Sequence, residues 1–173
     1  MLAPLISADA IAGRVAELGA QISRDYRDRR PLLVGVLDGA FVFLADLCRR
    51  IDLEIECDFV AVRSYGDGTL SSGEATLTRD LTVDVLGRDV LLVEDIVDSG
   101  ITAEFLLRLL RTRRPASVAI CALLRKEGRA IRELPVEYLG FTIPDRFVVG
   151  YGLDHARRYR NLPYLATLDD RPA

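Results

Sequence analysis

The sequence predicts an α/β fold, a mostly parallel twisted sheet flanked by helices. Three observations predict it. Short apolar runs rich in β-branched residues, LLVGV (32–36), VLLV (90–93) and SVAICALL (117–124), read as strands buried on both faces, as in a parallel sheet. Between them lie segments whose apolar residues recur at spacings of three and four, the helical period. Such alternation of strand and helix gives parallel strands joined by right-handed crossovers.

Taken in order, Ser7 can cap a first helix whose apolar face is Ile11, Val15, Leu18, Ile22 and Tyr26. The charged segment 24–30 solvates its end, and Pro31 opens a new element. The strand at 32–36 stops at Leu37, Asp38, Gly39 and Ala40, and FVFLADLCRRI (41–51) reads as the crossover helix. EIECDFVAV (54–62) alternates like a strand with one covered face. The Gly- and Ser-rich segment 63–73, with Ser64 and Tyr65 near its start, is the most flexible-looking part of the chain. EATLTRDL (74–81) then returns as the second arm of a long hairpin. Pro115 ends the central helix, and VEYLGFTI (136–143), FVVG (147–150) and LATL (165–168) read as late strands. No repeat, linker or low-complexity segment interrupts residues 1–173, which are expected to form a single domain.

The stretch DVLLVEDIVDSGITAEFLLRLL (89–110) organises the rest. Its strand is followed by Glu94 and Asp95, two aliphatics, then Asp98, Ser99, Gly100, Ile101 and Thr102. A helical pattern follows, with Phe105, Leu106, Leu109 and Leu110 on one side. A strand feeding a helix through a Ser/Gly/Thr turn aims backbone N–H groups and partial positive charge at one spot, which suits a phosphate. Gly100 permits a positive φ and close backbone approach. Three flanking acids are out of place beside a bare phosphate. They fit a phosphorylated sugar whose hydroxyls meet Glu94 and Asp95, with a divalent metal screening the charge. The plainer alternative makes Asp98 a helix cap and the two acids a solvated strand end. A Walker A loop is excluded, because its Gly-Lys-Ser/Thr lysine is missing and Ile101 stands inside the turn.

Composition narrows the class further. Half of the 173 residues are hydrophobic and 28% are charged, as in globular proteins. Net charge is −3 with no basic stripe, which disfavours nucleic acid as a partner. No apolar run is long enough to cross a membrane, and residues 1–15 lack the pattern of a secretory signal, so a cytoplasmic location is expected. Cys48, Cys57 and Cys121 are isolated in apolar segments, and an odd count without C-x-x-C suggests buried thiols in a reducing compartment. With His155 the single histidine, acid–base work falls to carboxylates or lysine.

In a parallel sheet, ligands bind at the carboxyl ends of strands. That rule gathers three loops: Asp38–Gly39, the turn 94–102, and the segment after Leu124 that carries Lys126. Lys126 can be a solvated lysine or a donor to a ligand. Phe147, between a charged turn and a Val-Val-Gly strand, can be core or can offer its ring to a planar ligand.

Four segments, VGVLDGAFVFLADL, RSYGDGT with SSG, VLLVEDIVDSGITA and IPDRFVVGYGLD, together resemble the type I phosphoribosyltransferases, and among them the bacterial hypoxanthine-guanine branch. The resemblance runs from about residue 32 to 168 and implies a purine-salvage transferase. Such an enzyme moves the phosphoribosyl group of phosphoribosyl pyrophosphate (PRPP) to hypoxanthine or guanine, giving IMP or GMP and pyrophosphate, with Mg²⁺. It also implies a small base-binding hood over the sheet and a mobile hairpin loop bearing Ser64 and Tyr65. Glu94 and Asp95 would meet the ribose hydroxyls and, with Asp154, help place Mg²⁺. Asp98 would take a proton near the purine imidazole nitrogen, and the turn through Ser99, Gly100, Ile101 and Thr102 would hold the 5′-phosphate. Leu37, Asp38, Gly39 and Arg160 would face pyrophosphate, in a loop where a strained or cis peptide is common. Lys126 would donate to the 6-oxo group of the purine, Phe147 would stack on the base and Val148 would read its edge, beside Asp154. Many relatives carry a basic residue where this chain has Asp38, so backbone contacts there must suffice. A homodimer or homotetramer is implied as well. The alternatives are a non-catalytic PRPP sensor of the same fold and a transferase for another base such as xanthine.

Overall fold

The computed structural model describes residues 2–64, 75–128 and 134–168. Its elements in chain order are β1 (Leu2–Ile6), α1 (Ala8–Asp25), β2 (Leu32–Leu37), α2 (Phe41–Cys48), β3 (Glu56–Ser64), β4 (Ala75–Arg79), β5 (Asp89–Val97), α3 (Ile101–Thr112), β6 (Ser117–Lys126), β7 (Tyr138–Ile143), β8 (Val148–Val149) and β9 (Leu165–Leu168). The main sheet has the order β4-β3-β2-β5-β6-β7, and every pairing in it is parallel except β3 with β4. The expected α/β class therefore stands, with the predicted hairpin as its antiparallel edge.

β5 sits in the middle because its residues can be buried on both sides. Val90, Leu91, Leu92 and Val93 are all fully buried. Alternation sends Leu91 and Val93 to the face covered by α1 and α2, with Ile11, Leu18, Ile22, Phe43 and Leu47. Val90 and Leu92 go to the opposite face, where α3 packs Ala103, Leu106, Leu107 and Leu110. Phe105 and Leu109, expected on the inner side of that helix, are only partly buried. The 3.6-residue period brings Ala103 and Leu107 to the sheet in their place.

α1 begins as expected: the Ser7 side chain accepts a hydrogen bond from the Ala10 N–H, and Ile11, Val15, Leu18 and Ile22 are buried. On its outer side Arg14 donates to the carbonyls of Leu139 (2.6 Å) and Gly140 (3.0 Å) on edge strand β7. That contact satisfies acceptors a bare sheet edge would leave open. α2 is shorter than its apolar pattern, ending at Cys48 rather than Ile51, and β7 starts at Tyr138 rather than Val136. The thiols also differ from expectation. Cys121 is buried, but Cys48 is half-buried and Cys57 exposed.

A second, antiparallel sheet of order β1-β9-β8 stands beside the first. No strand before the first helix is expected from the sequence, and Pro4 is a residue that a central strand would not accept. The structure tolerates it since β1 is an edge strand, where Pro4 lies opposite Ala166. Of the expected flexible segment, Ser64 closes β3, while Tyr65 and residues 66–73 lie outside the described residues. Among the described residues, no helix is long and apolar enough to cross a membrane.

One buried carboxylate fastens the segment between β4 and β5. Asp58 on β3 is 4% exposed and accepts from the N–H groups of Phe59 (2.7 Å), Thr82 (2.6 Å) and Val83 (3.2 Å), and from the Thr82 hydroxyl (3.0 Å). Burial alone would raise its pKa, but these donors outweigh it and hold the carboxyl below its ordinary range. Asp58→Ala should destabilise the fold by about 3 kcal/mol, read from the denaturant midpoint, because several buried donors lose their acceptor at once. A loss under about 0.5 kcal/mol, the scale of a surface change, would show that water satisfies those donors.

Candidate active site

The carboxyl ends of β2, β5 and β6 open into a cleft of about 510 Å³, walled by Val36, Val62 and Ile96 and roofed by Phe147, Val148 and Leu153. Its polar lining is Asp38, Glu94, Asp95, Asp98, Thr102, Lys126, Asp154 and Arg160. The three loops that the sequence gathered are therefore together.

β5 continues past its apolar run to Val97, so Glu94 and Asp95 belong to the strand itself and not to a solvated end. Glu94 is 4% exposed, and its Oε1 is buried with no hydrogen-bond partner. Burial, reinforced by the charge of Asp95, pushes its pKa well above the usual carboxylate range. Asp95 is also raised, to about 6, by burial; its own N–H, that of Ile96 and the Arg160 guanidinium oppose the shift, and Asp154 adds to it. Gly39 is what lets β2 approach, since a Cβ there would overlap the Asp95 carboxylate. The Leu37–Asp38 peptide just before it is cis.

The turn after β5 is built as the sequence suggested, with one correction. The cap of α3 is Gly100, at φ 81°, and it makes no side-chain cap bond, so Asp98 is not the helix cap. The Ser99 hydroxyl accepts from the Ile101 N–H at 3.4 Å, closing the turn on itself. Thr102 lines the cleft; Ser99, Gly100 and Ile101 shape the turn that aims the helix start toward it.

Asp98 instead faces Lys126, the last residue of β6. The Lys126 ammonium donates to Asp98 Oδ2 at 3.0 Å and lies 3.5 Å from Asp145 Oδ1, with only 9% of the lysine side chain exposed. A solvated lysine would look otherwise. Asp145 was not singled out by sequence reasoning, since a Pro-Asp turn is ordinary loop chemistry.

Across the cleft Arg160 spans three groups. It donates to the Gly152 carbonyl (2.6 Å), pairs with Asp154 (2.8 Å) and lies 3.8 Å from the largely exposed Asp38. Asp154 in turn accepts from the Arg157 N–H. The backbone here is unusual: Gly150, Tyr151, Gly152, Ala156, Arg157 and Tyr159 all have positive φ. Outliers of that density cluster where a chain is bent to serve a ligand. Phe147 remains 48% exposed at the rim, edge-on to His155 with ring centroids 5.3 Å apart.

The orphaned Glu94 oxygen beside Asp95 suits a hydroxyl donor or a hard cation. Among the described residues, no three His, Cys, Asp or Glu side chains are grouped so as to hold a metal by themselves. A Mg²⁺ ion, which keeps waters and shares substrate phosphates, fits such a partial set.

A protein-family profile described as a phosphoribosyl transferase domain matches residues 6–156. The chain is 49% identical over 164 residues to the hypoxanthine-guanine phosphoribosyltransferase of Bacillus subtilis (strain 168), covering 95% of this chain and 91% of that one. It is 49% identical over 157 residues to the hypoxanthine phosphoribosyltransferase of Escherichia coli (strain K12), covering 90% and 88%. Among solved structures, a hypoxanthine-guanine phosphoribosyltransferase of Bacillus anthracis superposes with a TM-score of 0.92 at 42% identity, over 96% of this chain and 98% of that one.

The raised acids make a testable demand on the fold. Both hold their proton more tightly in the folded chain than in the unfolded one, so stability falls as pH rises through the gap, from 3.8 to about 6 for Asp95. Glu94→Gln removes one such charge and should raise the ligand-free melting temperature at pH 7 by ~2–4 °C, the shift expected for about 1 kcal/mol. The gain should shrink as pH falls toward the ordinary carboxylate range. A melting temperature that drops at pH 7 would mean the Glu94 carboxylate stabilises the fold.

Proposed function

This chain belongs to the type I phosphoribosyltransferase family as a purine-salvage transferase, and from that premise we propose how its own residues carry the transfer of phosphoribose from PRPP to hypoxanthine or guanine. The observation that carries the reading is the Lys126–Asp98 pair, an ammonium and a carboxylate 3.0 Å apart beside the acidic end of β5. A 6-oxopurine offers a carbonyl to the first and a ring N–H to the second.

Residues 1–173 act in this reading as one phosphoribosyltransferase domain. The turn from Asp98 to Thr102 holds the 5′-phosphate at the start of α3, where a helix presents N–H groups and partial positive charge. Glu94 and Asp95 accept the ribose hydroxyls. Leu37, Asp38 and Gly39 offer backbone to the pyrophosphate, and Arg160 turns toward it from Asp154 and Asp38. Phe147 covers the face of the base, and Val148 meets its edge through the backbone. Glu94, Asp95 and Asp154 would hold a Mg²⁺ ion, which would supply charge neutralisation for the leaving pyrophosphate.

In the reaction the ribose C1–O bond breaks and pyrophosphate leaves with the electron pair. The purine ring nitrogen forms the new bond to C1, and the ring N–H proton passes to Asp98. Positive charge grows on the ribose as the leaving group departs, and in this reading the carboxylates of β5 stabilise it. Lys126 donates to the 6-oxo group and holds the base in line.

Pyrophosphate release from PRPP, measured with a panel of bases, tests the reading. Hypoxanthine and guanine should react and adenine should react poorly, since a 6-amino group meets the Lys126 donor with another donor. Lys126→Ala should narrow that difference. Adenine turnover equal to hypoxanthine in the native enzyme would overturn the assignment.

Asp98→Asn separates chemistry from folding. Asparagine can still accept from Lys126 and removes no helix cap, but it cannot take a proton. The variant should melt like the native protein, bind PRPP, and lose roughly 10²–10⁴-fold in forward rate. Native turnover would leave Asp98 with a purely structural part in the pair with Lys126.

A further inference from the structure

Lys126 is ringed by more negative charge than donation to a base would need. Two carboxylates flank one ammonium: Asp98 Oδ2 at 3.0 Å and Asp145 Oδ1 at 3.5 Å. The two acids come from different parts of the fold. Asp98 follows β5, whereas Asp145 lies in the turn that leads from β7 to β8. That turn is tight, with the Arg146 N–H donating to the Pro144 carbonyl at 2.8 Å, and it delivers Phe147 to the rim of the cleft two residues later. The end of β7 is also tied to Lys126 directly: Ile143 is its partner in the sheet, and the Glu127 N–H donates to the Ile143 carbonyl at 2.9 Å.

We infer that Asp145 is a positioning residue that keeps the Lys126 ammonium aimed at the 6-oxo group of the base, independently of Asp98. This rests on the transferase reading above. With only 9% of its side chain exposed, the ammonium is held by the carboxylates around it more than by water. Asp98 supplies one only until it takes the proton of the incoming base; after that it is neutral, and its hold on the ammonium weakens. Asp145 then remains as the anion that holds Lys126 in place. An ammonium has three donors; Asp98 takes one and Asp145 adds a counter-charge, so a donor remains for the base carbonyl. Because Asp145 and Phe147 share one turn, the same short segment sets the edge reader and the stacking ring at a fixed separation. Asp145 is thus specificity-determining for the 6-position, while the chemistry at C1 proceeds elsewhere in the cleft.

The test compares the native enzyme with Asp145→Asn and Asp145→Glu. For each, KM and kcat with hypoxanthine, KM for PRPP, and the inhibition constant of unsubstituted purine, which lacks the 6-oxo group, are measured. In Asp145→Asn the KM for hypoxanthine should rise about tenfold, the scale of one weakened charge-assisted hydrogen bond, while the purine constant and the PRPP KM stay within about twofold. Asp145→Glu, which restores the charge, should recover most of the loss. An unchanged hypoxanthine KM in Asp145→Asn overturns the inference. So does an equal loss for hypoxanthine and purine, which would mark Asp145 as a general support of the pocket. A native enzyme that turns over no 6-oxopurine would instead remove the transferase reading, and this inference with it.

Discussion

The structure depends on carrying two carboxylates into the interior on the central strand. β5 can occupy the middle of the sheet only because its first residues are aliphatic and sealed on both faces. The same strand then holds Glu94, buried, and Asp95, half-buried, at its carboxyl end on the wall of the cleft. Taking an acid out of water is unfavourable, and the raised pKa values of both groups express that cost. A site prepared in this way gains most when a polyhydroxyl ligand or a cation arrives, because the unfavourable desolvation has already been incurred during folding.

The neighbouring elements answer to this arrangement. Gly39 is small because the Asp95 carboxylate occupies the space its side chain would need. Gly152 presses against the Gly39 carbonyl in the same way, so the loop from 150 to 160 closes tightly over the end of β2. Arg160 then reaches back to Asp154 and Asp38, giving the acidic end of the cleft its cation. Two glycines and one arginine thus permit a density of carboxylates that side chains of ordinary bulk would prevent.

Much of this was legible in the sequence. The buried strands, the first helix with its Ser7 cap, the hairpin arms and the gathering of three loops at the strand ends all follow from local pattern. What escaped has physical reasons. β1 contains Pro4, which argues against a strand unless the strand lies at an edge, and edge position is a property of the whole fold. The inner face of α3 differs from the expectation at two positions, because Phe105 and Leu109 are apolar yet lie to the side. The thiols of Cys48 and Cys57 sit in apolar runs whose outward faces are exposed. The pairing of Lys126 with Asp98 and Asp145 links β6 to two separate loops, and no local signal announces a contact of that kind.

The second sheet has a consequence for the order in which the molecule is completed. Its middle strand, β9, joins Leu2–Ile6 to Val148–Val149, and the Thr167 hydroxyl reaches the carbonyl of Ala3 across 164 positions of chain. The main sheet needs no such partner: β2, β3, β5 and β6 pair among themselves. On a ribosome, the end of β5 and the turn into α3 can therefore take shape while the second sheet still waits for residues near 168 to emerge. Contacts of so long a separation carry the largest loop-closure entropy and form late. The upper wall of the cleft, with Phe147 and Val148, is thus the last part to be assembled.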